Sequence, residues 1–129
     1  MNHVIEKQFE YKGFPCVCIL QNAGHRCGYV GLPKGNRYYG KDYDDIPIGC
    51  HGGLTFSDKS YWDNDDRWYI GFDCAHWADG KDFDAVEKYW ADDEIVMKML
   101  EVYKLMENDG EIRTLEYVEN ECKEIVNQL

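Results

Sequence analysis

No apolar run in this sequence approaches the roughly 20 residues that a helix needs to cross a bilayer, so a helical membrane span is not expected. The first residues, MNHVIEKQFEY, carry acidic groups where a secretory signal needs a basic stretch followed by an uninterrupted apolar one. The expected compartment is therefore a cytosol, where the six cysteines serve as thiols or metal ligands rather than as three disulfides. Internal repeats and linkers are also missing, and 129 residues suit one domain, which buries roughly two-thirds of the surface its unfolded chain exposes. An aromatic share of 15% and a hydrophobic share of 44% supply enough burial to offset the entropy of ordering, which excludes a disordered chain.

Several catalytic signatures are absent too. His51-Gly52-Gly53-Leu54 is like the oxyanion-hole turn of esterases, yet there is no GxSxG nucleophile elbow. Residues 35 to 41, GNRYYGK, have the spacing of a phosphate-binding loop, but Asp42 stands where a Ser or Thr would hold magnesium and no helix pattern follows. The carboxylates of residues 61 to 69 lack the glycine and distal glutamate of a calcium loop. CxxC and HxxxH pairs are missing as well, so the sequence has no zinc-ribbon spacing.

Basic residues are scarce in the second half. Residues 1 to 57 hold six Lys and Arg against five Asp and Glu, and residues 58 to 129 hold eight against twenty, so the halves net +1 and −12 within a total of −11. Such an acidic half repels nucleic acid and attracts a basic macromolecule. The plainer alternative is a solvated surface that keeps the chain soluble.

Residues 4 to 11 and 15 to 20 read as strands joined at Lys12-Gly13-Phe14. A short run from Cys27 to Gly31 follows, then a long loop rich in Gly and Tyr, then candidate strands at Ile48 to Phe56 and Trp68 to Ala75. Ile95, Val96, Met99, Leu100, Tyr103 and Met106 recur at helical spacing behind Asp92 and Asp93, with a stop at Asn108-Asp109-Gly110. Thr114 caps a second helix whose stripe is Leu115, Val118, Cys122, Ile125, Val126 and Leu129. The spacing predicts helices over 92 to 107 and 114 to 128. The expected class is α+β: a mainly antiparallel sheet from the N-terminal two-thirds, with two C-terminal helices packed on one face of it as a single domain, 1 to 129.

Alternation along a strand places side chains two apart on one face, so Cys74 with His76, and His25 with Cys27, can present sulfur and nitrogen together. His51, beside two glycines that let the backbone bend, adds a third segment. Mixed thiolate and imidazole ligands suit tetrahedral zinc, and the preferred set is Cys27, His51, Cys74 and His76, with His25 and Asp79 in reserve. Against it stands ordinary core packing of cysteines and hydrogen-bonded structural imidazoles. Cys16, Cys18 and Cys122 lie on apolar faces and are expected in the core.

Two thiolates would close the site and make it structural. His51, His76 and Asp79 alone would instead leave one coordination position for water, a hydrolytic arrangement that still needs a general base, with Asp73 expected on the opposite face of the strand. A third possibility, Cys74 as a nucleophile with His76 as its base, is weaker, because such neighbours more often pack or share a ligand. Tyr61, Trp62, Asp63, Asp65 and Asp66 mix aromatics with carboxylates, a composition suited to a partner surface. A binder that sequesters a nucleotide signal would instead turn Arg26, Lys34 or Arg37 toward a phosphate.

The run GHRCGYVGLPKG, then YG, then HGGLTFS, then WYIGFDCAHWAD resembles a group of small proteins in phages and prophages of Gram-positive bacteria, over residues 3 to 80. There is a weaker resemblance to zinc-containing anti-CRISPR proteins, small acidic phage products that bind type II effector nucleases. The resemblance implies a phage-encoded, non-enzymatic inhibitor in the host bacterial cytosol with a structural zinc. It would bind a basic surface of an RNA-guided host nuclease, whose channel must be positive to hold phosphates.

Overall fold

The computed structural model describes residues 2 to 59 and 65 to 129. The chain begins with strands β1 (His3–Tyr11), β2 (Phe14–Gln21) and β3 (Arg26–Leu32), then a single 3-10 turn at Tyr43–Asp45. Strands β4 (Phe56–Lys59), β5 (Trp68–Asp73) and β6 (Asp79–Gly80) follow, then helices α1 (Phe83–Trp90) and α2 (Glu94–Lys104), strand β7 (Glu111–Ile112) and helix α3 (Leu115–Asn127). The first five strands form an antiparallel sheet in the order β1-β2-β3-β5-β4, and β6 pairs with β7 in a short parallel ladder. The α+β class is as expected.

Tyr11 pairs with Phe14 across Lys12 and Gly13, whose φ angles of 49° and 84° are those of a tight primed hairpin turn. A bulge between Ile5 and Lys7 interrupts the β1–β2 register. The extra residue turns both Glu6 and Lys7 toward the helical side, Glu6 to Arg26 and Lys7 to Glu119 of α3.

Alternation sorts the sheet into two faces. Cys16, Cys18, Val30, Leu32, Ile70 and Phe72 meet Val118, Cys122, Ile125 and Val126 of α3 in the main core. The opposite face carries Val17, Ile19, Cys27, Tyr29 and Tyr69 with Phe56. A Cβ at Gly28 would lie 2.6 Å from the Phe72 ring and 2.8 Å from Cys122 Sγ, so glycine there allows α3 to sit close on β3. Helix N-caps are supplied by Asp82, Asp93 and Thr114, whose side chains accept from backbone N–H groups of the first turn.

Three sequence expectations change. Ile48 to Thr55 is not a strand: Gly52 and Gly53 hold φ of 67° and 83°, which breaks extended backbone, and β4 starts only at Phe56. Helix α1 was not anticipated. It spans eight residues, and with α2 it packs Val86, Trp90, Val96 and Leu100 on Leu20 at the end of β2. The two anticipated helices therefore do not share the sheet as equals; α3 covers it, and α2 reaches it through the α1–α2 hairpin. Among the described residues no helix is long and apolar enough to cross a membrane.

Candidate metal centre

Beyond Asp73 the chain leaves β5 in a turn, in which Ala75 N donates to Asp73 Oδ1 and Asp79 N donates to the His76 carbonyl. Strand alternation therefore does not extend to residue 76. The turn returns Asp79 toward His76, and the β6–β7 ladder fixes it there, with Glu111 N donating to the Ala78 carbonyl at 2.9 Å. From the other side comes the Cys50–Gly53 turn. A Cβ at Gly52 would fall 2.3 Å from Cε1 of the His76 imidazole, so the absence of a side chain at 52 is what lets His51 and His76 come together, with ring centroids 5.6 Å apart.

One ligand atom each from His51, His76 and Asp79 then lie within 4.8 Å of one another, a group able to hold a metal ion. His51 Nε2 is 3.0 Å and His76 Nδ1 3.3 Å from the same oxygen, Asp79 Oδ2, which also accepts from the His76 backbone N–H at 3.0 Å. Arg113 Nε donates to the other oxygen, Oδ1, at 2.9 Å. The Asp79 side chain is only 2% exposed. Burial by itself would raise its carboxyl, but the hydrogen bonds from His51, the His76 backbone and Arg113 outweigh burial and hold it well below the usual carboxylate range.

His51 Nδ1 lies 2.7 Å from Tyr117 Oη on the first turn of α3, and the His51 backbone N–H donates to Glu121 Oε1 at 2.7 Å. A phenol can donate or accept, so the partner satisfies both tautomers. With Nε2–H facing the carboxylate, Tyr117 donates to Nδ1. With Nε2 turned to an ion, Nδ1–H donates to Tyr117, which is the usual outer support of a ligating histidine. Burial, then the charge of Glu121, raise the Tyr117 phenol, so it stays protonated and able to play either part.

The thiols expected to ligate are elsewhere. Cys27 pairs in register with Asp73 and points into the cluster of Val17, Ile19 and Tyr29, whereas Cys74 belongs to the main core under α3. The set Cys27, His51, Cys74 and His76 is therefore not brought together; the two imidazoles are joined by Asp79 and not by sulfur. His25 and Cys74 line a small cavity of about 70 Å³ behind His76 and Asp79. Asp73, expected on the far side, lies with Oδ1 3.8 Å from His76 Nδ1. On the solvent side, His76 and Asp79 border an open cleft of about 460 Å³ shared with Lys81, Asn108, Glu111 and Trp77, whose side chain is 99% exposed.

Arg26 does not face a ligand: Glu6 and Asp82 take its guanidinium. Lys34 lies 3.8 Å from Asp66, and Arg37 stacks on Tyr38. Of the expected partner surface, Tyr61, Trp62 and Asp63 lie outside the described residues. Asp65 is committed locally, accepting from Arg67 N and Tyr69 Oη, and Asp66 is 88% exposed.

All six cysteines are free, and all but the half-buried Cys50 are buried. Burial pushes the thiol up to about 12 at Cys16 and to about 11 at Cys27 and Cys50. Thiolate is the reactive form. At pH 8 the native protein is expected to consume a thiol-specific reagent slowly, at Cys50 first, and the denatured protein to titrate six thiols at once. Rapid loss of several thiols from the native state would contradict this packing.

Comparison with protein-family models, with curated proteins and with solved structures finds no match to the chain. What the centre does is read from its own residues.

Proposed function

We propose that this protein binds one zinc ion through His51, His76 and Asp79 and acts as a zinc-dependent hydrolase. The observation that carries the reading is the convergence of two imidazole nitrogens and one carboxylate oxygen within 4.8 Å, with the remaining ring nitrogen of His51 and the remaining oxygen of Asp79 each engaged by Tyr117 and Arg113. Three nitrogen and oxygen donors without thiolate match the donor set of hydrolytic zinc rather than of a closed structural site. A zinc ion held by these three residues would supply Lewis acidity and would activate a water for attack. The chain's own contribution is to hold Asp79 ionised through Arg113 and the His76 backbone, to fix the His51 ring between Tyr117 and the carboxylate, and to open His76 and Asp79 onto the cleft beside Trp77. Asp73, with Oδ1 3.8 Å from His76 Nδ1, and Glu111 on the wall of the cleft are the neighbouring carboxylates that would take a proton there.

The acidic half supports a second reading, a non-enzymatic phage-encoded inhibitor that covers the basic channel of an RNA-guided nuclease. One set of experiments separates the two. Zinc titration of chelator-treated protein should saturate at one ion per chain and raise the melting temperature, since ligand at 100 times Kd adds about 2.7 kcal/mol. The loaded protein is then assayed on activated ester and phosphoester substrates and, separately, for inhibition of guided DNA cleavage. Zinc-dependent hydrolysis supports the enzyme. Zinc binding without hydrolysis, together with blocked cleavage, transfers the argument to the inhibitor, and failure to bind zinc overturns the metal centre itself.

A further inference from the structure

The cleft of about 460 Å³ in front of His76 and Asp79 lies between residues 76–81 and residues 107–111. Its two walls are fixed on each other. Asn108 Oδ1 accepts from Lys81 N at 2.9 Å, and its Nδ2 donates to the Lys81 carbonyl at 3.1 Å. Beside this clamp, a Cβ at Gly110 would lie 2.4 Å from the Asp79 carbonyl carbon and one at Gly80 2.5 Å from the Gly110 oxygen, so glycine at both positions lets the walls meet backbone to backbone. The opening is therefore preformed. Its lining sorts by charge. Glu107 and Asp109 are exposed and have no ion-pair partner among the described residues, and Glu111 adds a third carboxylate, which Arg113 approaches to 2.9 Å. The one lysine of the lining, Lys81, holds its ammonium 5.7 Å from the centroid of the Tyr103 ring. Apart from Ala78, the only apolar side chain there is Trp77, 99% exposed. So little apolar lining does not suit a greasy ligand, and the carboxylates repel a phosphate. An indole face among carboxylates suits a cation, which the ring quadrupole and the acidic groups both attract.

We propose that this cleft is a recognition subsite for a cationic side chain, the guanidinium of an arginine residue or the ammonium of a lysine residue, taken up by the Trp77 ring and the carboxylates of Glu107 and Asp109. Joined to the hydrolytic reading of the His51, His76 and Asp79 centre, on which this step rests, the subsite makes the substrate an ester or amide of a basic amino acid. Its carbonyl then sits at the end of the cleft that His76 and Asp79 border. Water adds to the carbonyl carbon and the bond to the leaving oxygen or nitrogen breaks. The leaving group departs with one proton of the water, and the carboxylic acid keeps the other. The recognition of the cation itself needs no metal.

Two esters that differ in charge test this on the full chain: Nα-acetyl-arginine methyl ester and its citrulline counterpart, in which a neutral ureido group replaces the guanidinium. Binding to the metal-free protein is followed by nuclear magnetic resonance at the backbone amides of residues 76–81 and 107–111. The arginine ester is expected to bind about 10-fold more tightly than the citrulline ester, and Glu107→Gln with Asp109→Asn should reduce that preference to about 2-fold or less. Trp77→Ala should weaken the arginine ester about 3-fold. All three positions are exposed, and circular dichroism checks that the variants keep the fold. The zinc-loaded protein should then show the same preference in kcat/KM. Arginine-selective binding without hydrolysis supports the subsite and removes the hydrolase reading, whereas hydrolysis of both esters alike, with no difference in binding, overturns the subsite and leaves the hydrolase. Equal binding of the two esters, or a preference that survives both sets of substitutions, overturns the proposal whatever the zinc-loaded protein hydrolyses.

Discussion

Replacing Arg26 by methionine is expected to cost about 3–5 kcal/mol of stability, the penalty for leaving a buried charge without its partner. The Arg26 side chain is 6% exposed and that of Glu6 4%. Nε and Nη2 donate to the two Glu6 oxygens at 2.6 and 3.3 Å, and Nη1 donates to Asp82 Oδ2 at 2.8 Å and to the Arg113 carbonyl at 3.1 Å. One guanidinium therefore ties β1, β3, the cap of α1 and the approach to α3. Methionine fills much of the volume but strands Glu6, whose remaining partner is the Tyr89 hydroxyl at 3.3 Å, and deprives the α1 cap of its counter-charge. Urea unfolding of the two proteins measures the loss. Arg26→Met combined with Glu6→Leu should recover a large part of it, because the pair is then removed together. A loss below about 1 kcal/mol for the single change would mean that the charges are solvated in the native state.

That knot was not visible in the sequence, and the reason is general to this fold. Arg26 opens β3, directly before the apolar run that begins at Cys27, and gives no sign that it is buried; its partners are 20 and 56 residues away, and the bulge that aims Glu6 has no residue signature. What was legible was local. Lys12-Gly13 announced the hairpin, and the stripes of α2 and α3 announced two helices within a few residues of their ends. Helix α1 escaped because its apolar residues, Phe83, Val86 and Trp90, give only two turns of period. The site shows the same division. The trio His51, His76 and Asp79 was legible as the open, hydrolytic alternative, but the preferred set put Cys27 and Cys74 in place of Asp79, because residues 74 to 76 read as continuing strand whereas the chain turns after Asp73. Tyr117 and Arg113 were missed altogether. Tyr117 lies on a helix read for its apolar stripe, 66 residues from His51, and only the packing of α3 on β3 brings it there.

Asp79→Asn is expected to abolish measurable zinc binding, because it removes the one anionic donor and leaves two neutral imidazoles. The change is nearly isosteric, so the turn is retained, but one carboxylate oxygen becomes an N–H₂ group. Asp79 has donors on both sides, Arg113 Nε at Oδ1 and the His76 N–H with His51 at Oδ2, so either orientation of the amide sets donor against donor. With a side chain 2% exposed, that mismatch should cost about 1–3 kcal/mol in the metal-free protein. The pH dependence carries a further sign. The native carboxyl is held below its ordinary 3.8, so its stabilisation is complete above that value and is lost as pH falls toward the depressed native one. Asp79→Asn should remove this acid-side contribution, and unfolding measured from pH 6 downward should show a shallower loss than in the wild type. Tyr117→Phe gives the graded comparison: it deprives His51 only of its outer partner and should weaken zinc about 10–100-fold without abolishing it. If Asp79→Asn bound zinc as tightly as the wild type while losing stability as described, the His51, Tyr117, Asp79 and Arg113 network would be a structural clasp and not the seat of a metal.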